Sequence, residues 1–335
     1  MNLLIFQSPT FGQEFKTGMP SQAAIIDLGT NTFHILIVEW EDSQFRMLEK
    51  LQIPVKLGKG AFGSHIIRDD AYSRGIVAIK EFKKLLLSYH VSDVVIYGTS
   101  VLRNAVNGPL FAAEAQNIIG HPIRAISGEE EAELIYTGVR NAVPLGKEPH
   151  LIMDIGGGSV EFIIGNEKGV SWLKSYEIGA ARLIEKFAQN DPMDDDSIAE
   201  LEEFLETELT ELWEQASNYK IKTLVGASGS FESIASMERK IYELDKKAVG
   251  SLFYNIDMKH FDEIYQKIIT STQLELIYVP GLPGFRVEMI SVAMIMINYV
   301  IQRLRLKRII ASDYALKEGV MYKLMLEHSG ISKHS

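Results

Sequence analysis

No cysteine occurs anywhere in the 335 residues, which excludes disulfides, thiolate metal sites and a cysteine nucleophile. That absence suits the cytoplasm, where the protein is expected. Basic residues are also scarce relative to acidic ones: 34 Lys and Arg stand against 44 Asp and Glu, for a formal net charge of -10. Broad nucleic-acid binding rests on a surplus of Lys and Arg that neutralises phosphates. No nucleic-acid partner is therefore expected, and an anionic ligand must be held locally. Long apolar runs are missing as well. Residues 3–6 are apolar but have neither a basic segment before them nor a long hydrophobic region after them, so they do not read as a signal peptide. The most apolar later stretch, residues 289–301, contains Asn298 and is flanked by Arg286, Glu288, Gln302 and Arg303. It falls short of the roughly 20 residues of a membrane span and reads as a buried helix, with no membrane partner. What remains is ordinary globular composition, 46% hydrophobic and 23% charged, enough for about two domains with their own cores.

Two distant segments align without a gap: Ala24-Ile-Ile-Asp-Leu-Gly-Thr-Asn-Thr-Phe-His-Ile-Leu-Ile37 and Leu151-Ile-Met-Asp-Ile-Gly-Gly-Gly-Ser-Val-Glu-Phe-Ile-Ile164. Asp27 falls on Asp154, Gly29 on Gly156, Thr32 on Ser159 and His34 on Glu161. Each segment reads as strand, tight turn, strand. Glycines let such a turn approach a ligand closely, while its hydroxyls and exposed amides offer donors to phosphate oxygens. An aspartate at the strand end can hold a hydrated divalent cation. One copy alone is common hairpin chemistry; two matching copies indicate a duplicated domain.

A duplicated domain with a phosphate hairpin in each half resembles the actin-like ATPase superfold, which implies an α/β protein of two actin-like, ribonuclease H-like domains with an interdomain cleft. The rest of the pattern alternates accordingly. Strands are expected near residues 44–53, 94–97, 169–176, 222–225 and 308–311. Helices are expected near 69–90, 109–119, 198–213, 231–242, 260–269 and 286–304, with one beginning at Ser127, where Ser127 and Glu130 have capping-box spacing, and one from Asp313. The acidic run 191–196 reads as a helix start. The expected division is an N-terminal extension, 1–22, without fixed structure, a first domain at 23–129 and a second at 130–335, whose last helix, about 313–326, returns to the first domain. Residues 1–18 are expected to be dispensable, with Met19 as an alternative start.

Six ordered motifs then resemble one family, the exopolyphosphatases and guanosine pentaphosphate phosphohydrolases. They are Asp27-Leu-Gly-Thr-Asn-Thr-Phe-His34, Lys56-Leu-Gly-Lys-Gly60, Gly98-Thr-Ser-Val-Leu-Arg-Asn-Ala105, Ile126-Ser-Gly-Glu-Glu-Glu-Ala132, Asp154-Ile-Gly-Gly-Gly-Ser-Val-Glu161 and Ser312-Asp-Tyr-Ala-Leu-Lys-Glu-Gly319. The resemblance implies hydrolysis of a terminal phosphoanhydride, in polyphosphate or in the pentaphosphate alarmone, by an activated water. In that setting Glu131 would be the general base, with Glu129 and Glu130 suited to capping the helix and complementing its dipole. Asp154 and Glu161 would hold Mg2+ or Mn2+, with Asp27 as the matching group in the first half. The amides of Gly29, Thr30, Asn31 and Thr32, and of Gly156, Gly157, Gly158 and Ser159, would cradle phosphates. Arg103 would add a fork-shaped donor, with Lys56 and Lys59 ranked below it. His34 reads as a structural histidine.

One segment departs from the family form: Gly226-Ala-Ser-Gly-Ser-Phe-Glu232 stands where relatives carry a Gly-Gly-Thr turn, which leaves the choice between polyphosphate and alarmone open. A homodimer is compatible with the sequence. The alternatives are an actin-fold small-molecule kinase and a non-catalytic alarmone or nucleotide sensor.

Overall fold

The computed structural model describes residues 21–41, 44–244 and 250–328, so the expected extension lies outside the described residues up to position 20. Its last two residues already belong to the first strand. Two compact units emerge. One runs through Asn141 and resumes at Leu316; the other is Ala142–Ala315.

The first unit contains β1 (Ser21–Leu28), β2 (Phe33–Glu41), β3 (Gln44–Ile53), α1 (Asp69–Ser88), β4 (Asp93–Gly98), α2 (Ser100–Asn104), α3 (Gly108–Ile119), β5 (Ile123–Ala125) and α4 (Gly128–Ala142). Its sheet has the order β3-β2-β1-β4-β5. β1, β2 and β3 pair antiparallel, and β4 and β5 add in parallel. Apolar residues on both faces of β1 and β2 are buried, as a sheet covered on both sides requires. Helix α1 puts Ala71, Ile76, Ile79, Phe82 and Leu86 inward at helical spacing, and α3 starts on Pro109 and ends at the left-handed Gly120.

The second unit repeats the plan. Its elements are β6 (His150–Ile155), β7 (Val160–Asn166), β8 (Gly169–Tyr176), α5 (Ala180–Phe187), α6 (Asp195–Glu208), α7 (Thr210–Ser217), β9 (Thr223–Ala227), α8 (Ser228–Ile241), β10 (Phe253–Ile256), α9 (Met258–Thr270), α10 (Gln273–Leu276), α11 (Val287–Leu304) and β11 (Arg308–Ser312). The order β10-β11-β9-β6-β7-β8 matches the first sheet once β10, an added antiparallel edge strand, is set aside. The match extends to an irregularity. The ladder shifts register after Ile37 in one unit and after Ile164 in the other, positions that the repeat aligns. The fold is thus two actin-like α/β units.

Several sequence-level boundaries differ. The continuous helix expected at 198–213 breaks at Leu209, which ends α6 and starts α7. The acidic run does start α6, where Asp194 accepts a hydrogen bond of 2.8 Å from the Ser197 amide. The domain boundary expected at 129/130 falls in the first turn of α4, and the units divide only at that helix's last residue, between Asn141 and Ala142. Helix α11, with the turn before it, is long and apolar enough to span a bilayer by length and composition, but Met289, Val292, Ala293, Met296 and Ile297 are buried in the core of the second unit.

The last helix, α12 (Leu316–His328), packs on β1 and β2 of the first unit. Glycine makes its approach to α4 possible: a Cβ on Gly319 would sit 1.8 Å from the Leu134 carbonyl oxygen and 3.1 Å from the Gly138 nitrogen. Backbone cannot yield as a flexible side chain would, so Gly319→Ala is expected to destabilise the protein by about 1–3 kcal/mol, the usual range for overpacking. Gly169→Ala, where a Cβ meets nothing within 4 Å, is the control. Thermal melting checks both, and equal melting temperatures for the two variants would contradict the contact.

Candidate functional site

In the first unit, Gly29, Thr30, Asn31 and Thr32 form the turn between β1 and β2. This turn is gripped from behind by the segment after β3. The Lys56 amide donates to the Asn31 carbonyl at 2.7 Å and the Gly58 amide to the Thr30 carbonyl at 2.9 Å. Because a trans peptide points its carbonyl and the following N–H in opposite directions, fixing these two carbonyls aims the amides of Asn31 and Thr32 away from the grip. Two side-chain atoms of the same turn are unsatisfied as well: Asn31 Nδ2 and Thr32 Oγ1 are buried with no hydrogen-bond partner among the described residues, an arrangement that costs stability unless a bound group satisfies it.

The second unit holds its turn, Gly156, Gly157, Gly158 and Ser159, by the same logic with different parts. The carbonyls of Gly156, Gly157 and Gly158 accept from the amides of Ala180, Ala181 and Gly179 at 2.9, 3.0 and 3.1 Å, respectively, at the start of α5. Arg182 Nε adds a bond of 3.2 Å to the Gly158 carbonyl. Gly179 must be glycine, since a Cβ there would lie 2.4 Å from the backbone of Gly157 and Gly158. The amides of Gly157, Gly158 and Ser159 face the opposite way, as a nest for an anion.

Glu131 lies in the first turn of α4, where it is only 7% exposed and its amide donates to the Ser127 carbonyl at 3.0 Å. Arg103, in the last turn of α2, reaches it: Nη1 is 2.9 Å from the Ile126 carbonyl and 3.4 Å from Glu131 Oε2. The two residues expected to act on substrate are thus adjacent within one unit. α2 is tied to the hairpin as well, through a 3.2 Å bond from the Val101 amide to Thr30 Oγ1. Glu130 points elsewhere. Both its oxygens are held at 2.6 Å by Arg124, whose guanidinium also covers the Tyr97 ring, and this hydrogen bonding holds the Glu130 carboxyl below its ordinary range. The Ser127 hydroxyl accepts from the Glu130 amide at 3.1 Å, the expected cap. The structure therefore gives Glu130 a structural partner and leaves Glu131 beside Arg103.

Asp154 and Glu161 are direct partners in the antiparallel pair β6–β7, and both are buried, Glu161 to 1% exposure. Ser175 on β8 donates to Glu161 Oε1 at 2.7 Å. In the first unit, half-buried Asp27 faces His34 across the equivalent pair. Among the described residues no group of three or more His, Cys, Asp or Glu could hold a metal, so neither unit offers an all-protein cage. Two hard carboxylates do suit Mg2+, which keeps most of its waters and commonly takes one or two carboxylates plus substrate phosphates.

In the sequence Arg286 reads only as a charged flank of the apolar stretch 289–301. In the structure its guanidinium lies over Gly229, where a Cβ would be 1.6 Å from Nη2. Burial pulls its pKa down, while the charges of Glu232 and Asp154 push it back up. Arg286 thus places a cation over the turn that departs from the family form, with its charge acting on Asp154. In that turn Ser228 adopts φ +69°, a left-handed backbone that a serine holds only at a cost of about 1–3 kcal/mol. The glycine at 229 was the one available sequence signal, because it leaves room for a side chain that arrives from a distant segment.

The Ppx/GppA phosphatase family model matches residues 36–328. A Haemophilus influenzae protein, provisionally named an exopolyphosphatase, is 26% identical over 307 residues, 92% of each chain. The crystal structure of an exopolyphosphatase from Cytophaga hutchinsonii superposes with a TM-score of 0.88 at 32% identity, over 91% of this chain and 98% of that one. An Aquifex aeolicus Ppx/GppA family member shares the fold, with a TM-score of 0.75 at 22% identity over 95% and 100% of the two chains. With the duplicated sheets, the paired hairpins and these likenesses together, the chain belongs to the Ppx/GppA phosphatase family and is a phosphoanhydride hydrolase.

Proposed function

We propose that the protein releases orthophosphate from the end of inorganic polyphosphate, that it can also convert guanosine pentaphosphate to the tetraphosphate, and that it uses Glu131 as base with Mg2+ as cofactor. The observation that carries this reading is the buried Glu131 beside Arg103, on a helix whose neighbouring carboxylate, Glu130, is already committed to Arg124. An ionised carboxylate accepts at both oxygens, so Glu131, with Arg103 Nη1 at 3.4 Å, is of the chemical type that takes a water proton. Arg103 restrains it and presents further N–H donors to phosphate oxygens. Likeness to the Cytophaga hutchinsonii exopolyphosphatase supports polyphosphate as the substrate class.

In the reaction, the amides of Asn31 and Thr32 and of Gly157, Gly158 and Ser159 hold phosphoryl oxygens. Glu131 takes the proton of the attacking water as the oxygen bonds to the terminal phosphorus, and the bond to the bridging oxygen breaks. The shortened chain leaves with the electron pair of that bond. Asp154 and Glu161 would hold Mg2+, which would neutralise charge on the phosphates when bound.

Glu131→Gln keeps the shape and removes the proton acceptor. Orthophosphate release from polyphosphate, measured with malachite green, is expected to fall about 100- to 10,000-fold, with substrate affinity and melting temperature little changed. Glu130→Gln should retain turnover; a loss there with Glu131→Gln still active would shift the base by one residue. Asp154→Asn should leave the fold intact and lower activity even at magnesium concentrations that saturate the parent. Parental turnover with unchanged metal dependence in Asp154→Asn would make Asp154 structural.

A further inference from the structure

This acidic chain has a pole where its charge reverses. Residues 302–308, Gln-Arg-Leu-Arg-Leu-Lys-Arg, and residues 218–223, Asn-Tyr-Lys-Ile-Lys-Thr, hold four and two cations and no acid, against a net charge of -10 for the whole chain. The fold of the second unit brings them together. The Lys307 and Arg308 amides both donate to the Lys222 carbonyl, at 2.8 and 3.2 Å, and β11 then runs parallel to β9 with Arg308 opposite Thr223. Arg305, in the left-handed conformation at φ +54°, turns the chain from α11 into that strand. The apolar residues of both segments point inward: Leu306 is buried, and Tyr219, Ile221 and Leu304 pack on the core. Lys220, Lys222, Arg305, Lys307 and Arg308 are left exposed, and none of the five has an ion pair or a side-chain hydrogen bond among the described residues. Arg303, by contrast, is committed to Glu206. Burial lowers the pKa of His150, at the start of β6, and the Arg308 charge lowers it further, against the opposing charge of Glu148, so the patch reaches a third strand start. Because β6, β9 and β11 are parallel, this pole lies at the end of the sheet opposite the turn of residues 156–159. The strand from His150 to that turn, at about 3.3 Å per residue, puts roughly 20 Å between them.

We propose that this pole is a second binding site, remote from the reacting phosphate, for the interior of long polyphosphate chains. The inference rests on the polyphosphate reading above and adds to it how the body of a chain, rather than its end, is recognised. Polyphosphate carries charge on every unit and has neither base nor sugar, so a surface that binds it needs cations alone. The pole offers that. A surface for nucleic-acid bases would add exposed aromatic rings, and a membrane-docking surface would set exposed apolar residues beside its cations, whereas the aromatic and apolar side chains of these two segments turn inward. No internal ion pair has to break before phosphate binds. A chain held here keeps its free end at a raised local concentration around the same molecule, and a patch of positive field on an otherwise negative protein directs capture to this pole.

The test measures binding and hydrolysis at two chain lengths. Lys222→Gln, Lys307→Gln and Arg308→Gln are combined in one variant; Lys80→Gln, Lys168→Gln and Lys267→Gln, at three exposed lysines elsewhere, make a control of the same net charge. Tripolyphosphate and chains of many phosphates are the probes, with equilibrium dialysis for binding and malachite green for orthophosphate release. The pole variant should raise the dissociation constant and KM for long chains roughly 10-fold, flatten their salt dependence, and leave kcat and the KM for tripolyphosphate unchanged. The control should change each of them less than about twofold. Equal shifts in the two variants, an unchanged dissociation constant for long chains, or parental binding to duplex DNA or to phosphatidylserine vesicles that is tighter than to long polyphosphate would overturn the site. A parent that binds long chains but releases orthophosphate from neither probe would instead fail the reading of function, and the dialysis comparison would still decide the pole.

Discussion

A peptide plane cannot turn its carbonyl one way without turning the next amide the other, and the site in each unit depends on that constraint. Neither hairpin is stiff by itself; both are short turns rich in glycine or small polar residues. Each becomes a fixed set of amide donors, the proposed phosphate cradle, because another segment takes its carbonyls. In the first unit the takers are the amides of Lys56 and Gly58, and in the second those of Gly179, Ala180 and Ala181. The result is a set of donors aimed before any ligand arrives, the arrangement that makes electrostatic stabilisation effective without reorganisation. The duplicated sheets supply identical starting frames, while the gripping segments are unrelated: a basic turn in one unit, a helix start in the other.

Much of this was legible in the sequence. The gapless match of residues 24–37 to 151–164 reports hairpins whose registers, Asp27 opposite His34 and Asp154 opposite Glu161, are the same in both units. Strands β3 and β8 have the expected limits. Helical starts were readable where a cap chemistry existed, as at Ser127. Less visible was anything that depends on distant partners. The split between α6 and α7 at Leu209 follows no glycine or proline. α2 is too short to show a period, and α5 carries its apolar pattern over only eight residues. The distinction between Glu130 and Glu131 needed Arg124 and Arg103, which approach from β5 and from α2.

Arg286 illustrates the same limit most clearly. Nothing near it in sequence marks it as part of a site, because the backbone it packs against is the turn after β9, brought to it by the start of α11. Its presence changes the electrostatics of the second unit: the carboxylate of Asp154 has a guanidinium charge acting on it from within its own unit.

Whether the hairpin amides are aimed at phosphate is read from the amides themselves by NMR, in the Glu131→Gln protein, as polyphosphate is added. Downfield shifts and slowed hydrogen exchange are expected at the amides of Asn31, Thr32, Gly157, Gly158 and Ser159, with little change at Gly179, Ala180 and Ala181, which are already bonded to the turn carbonyls. Saturable polyphosphate binding that leaves those five amides unmoved would contradict that aim.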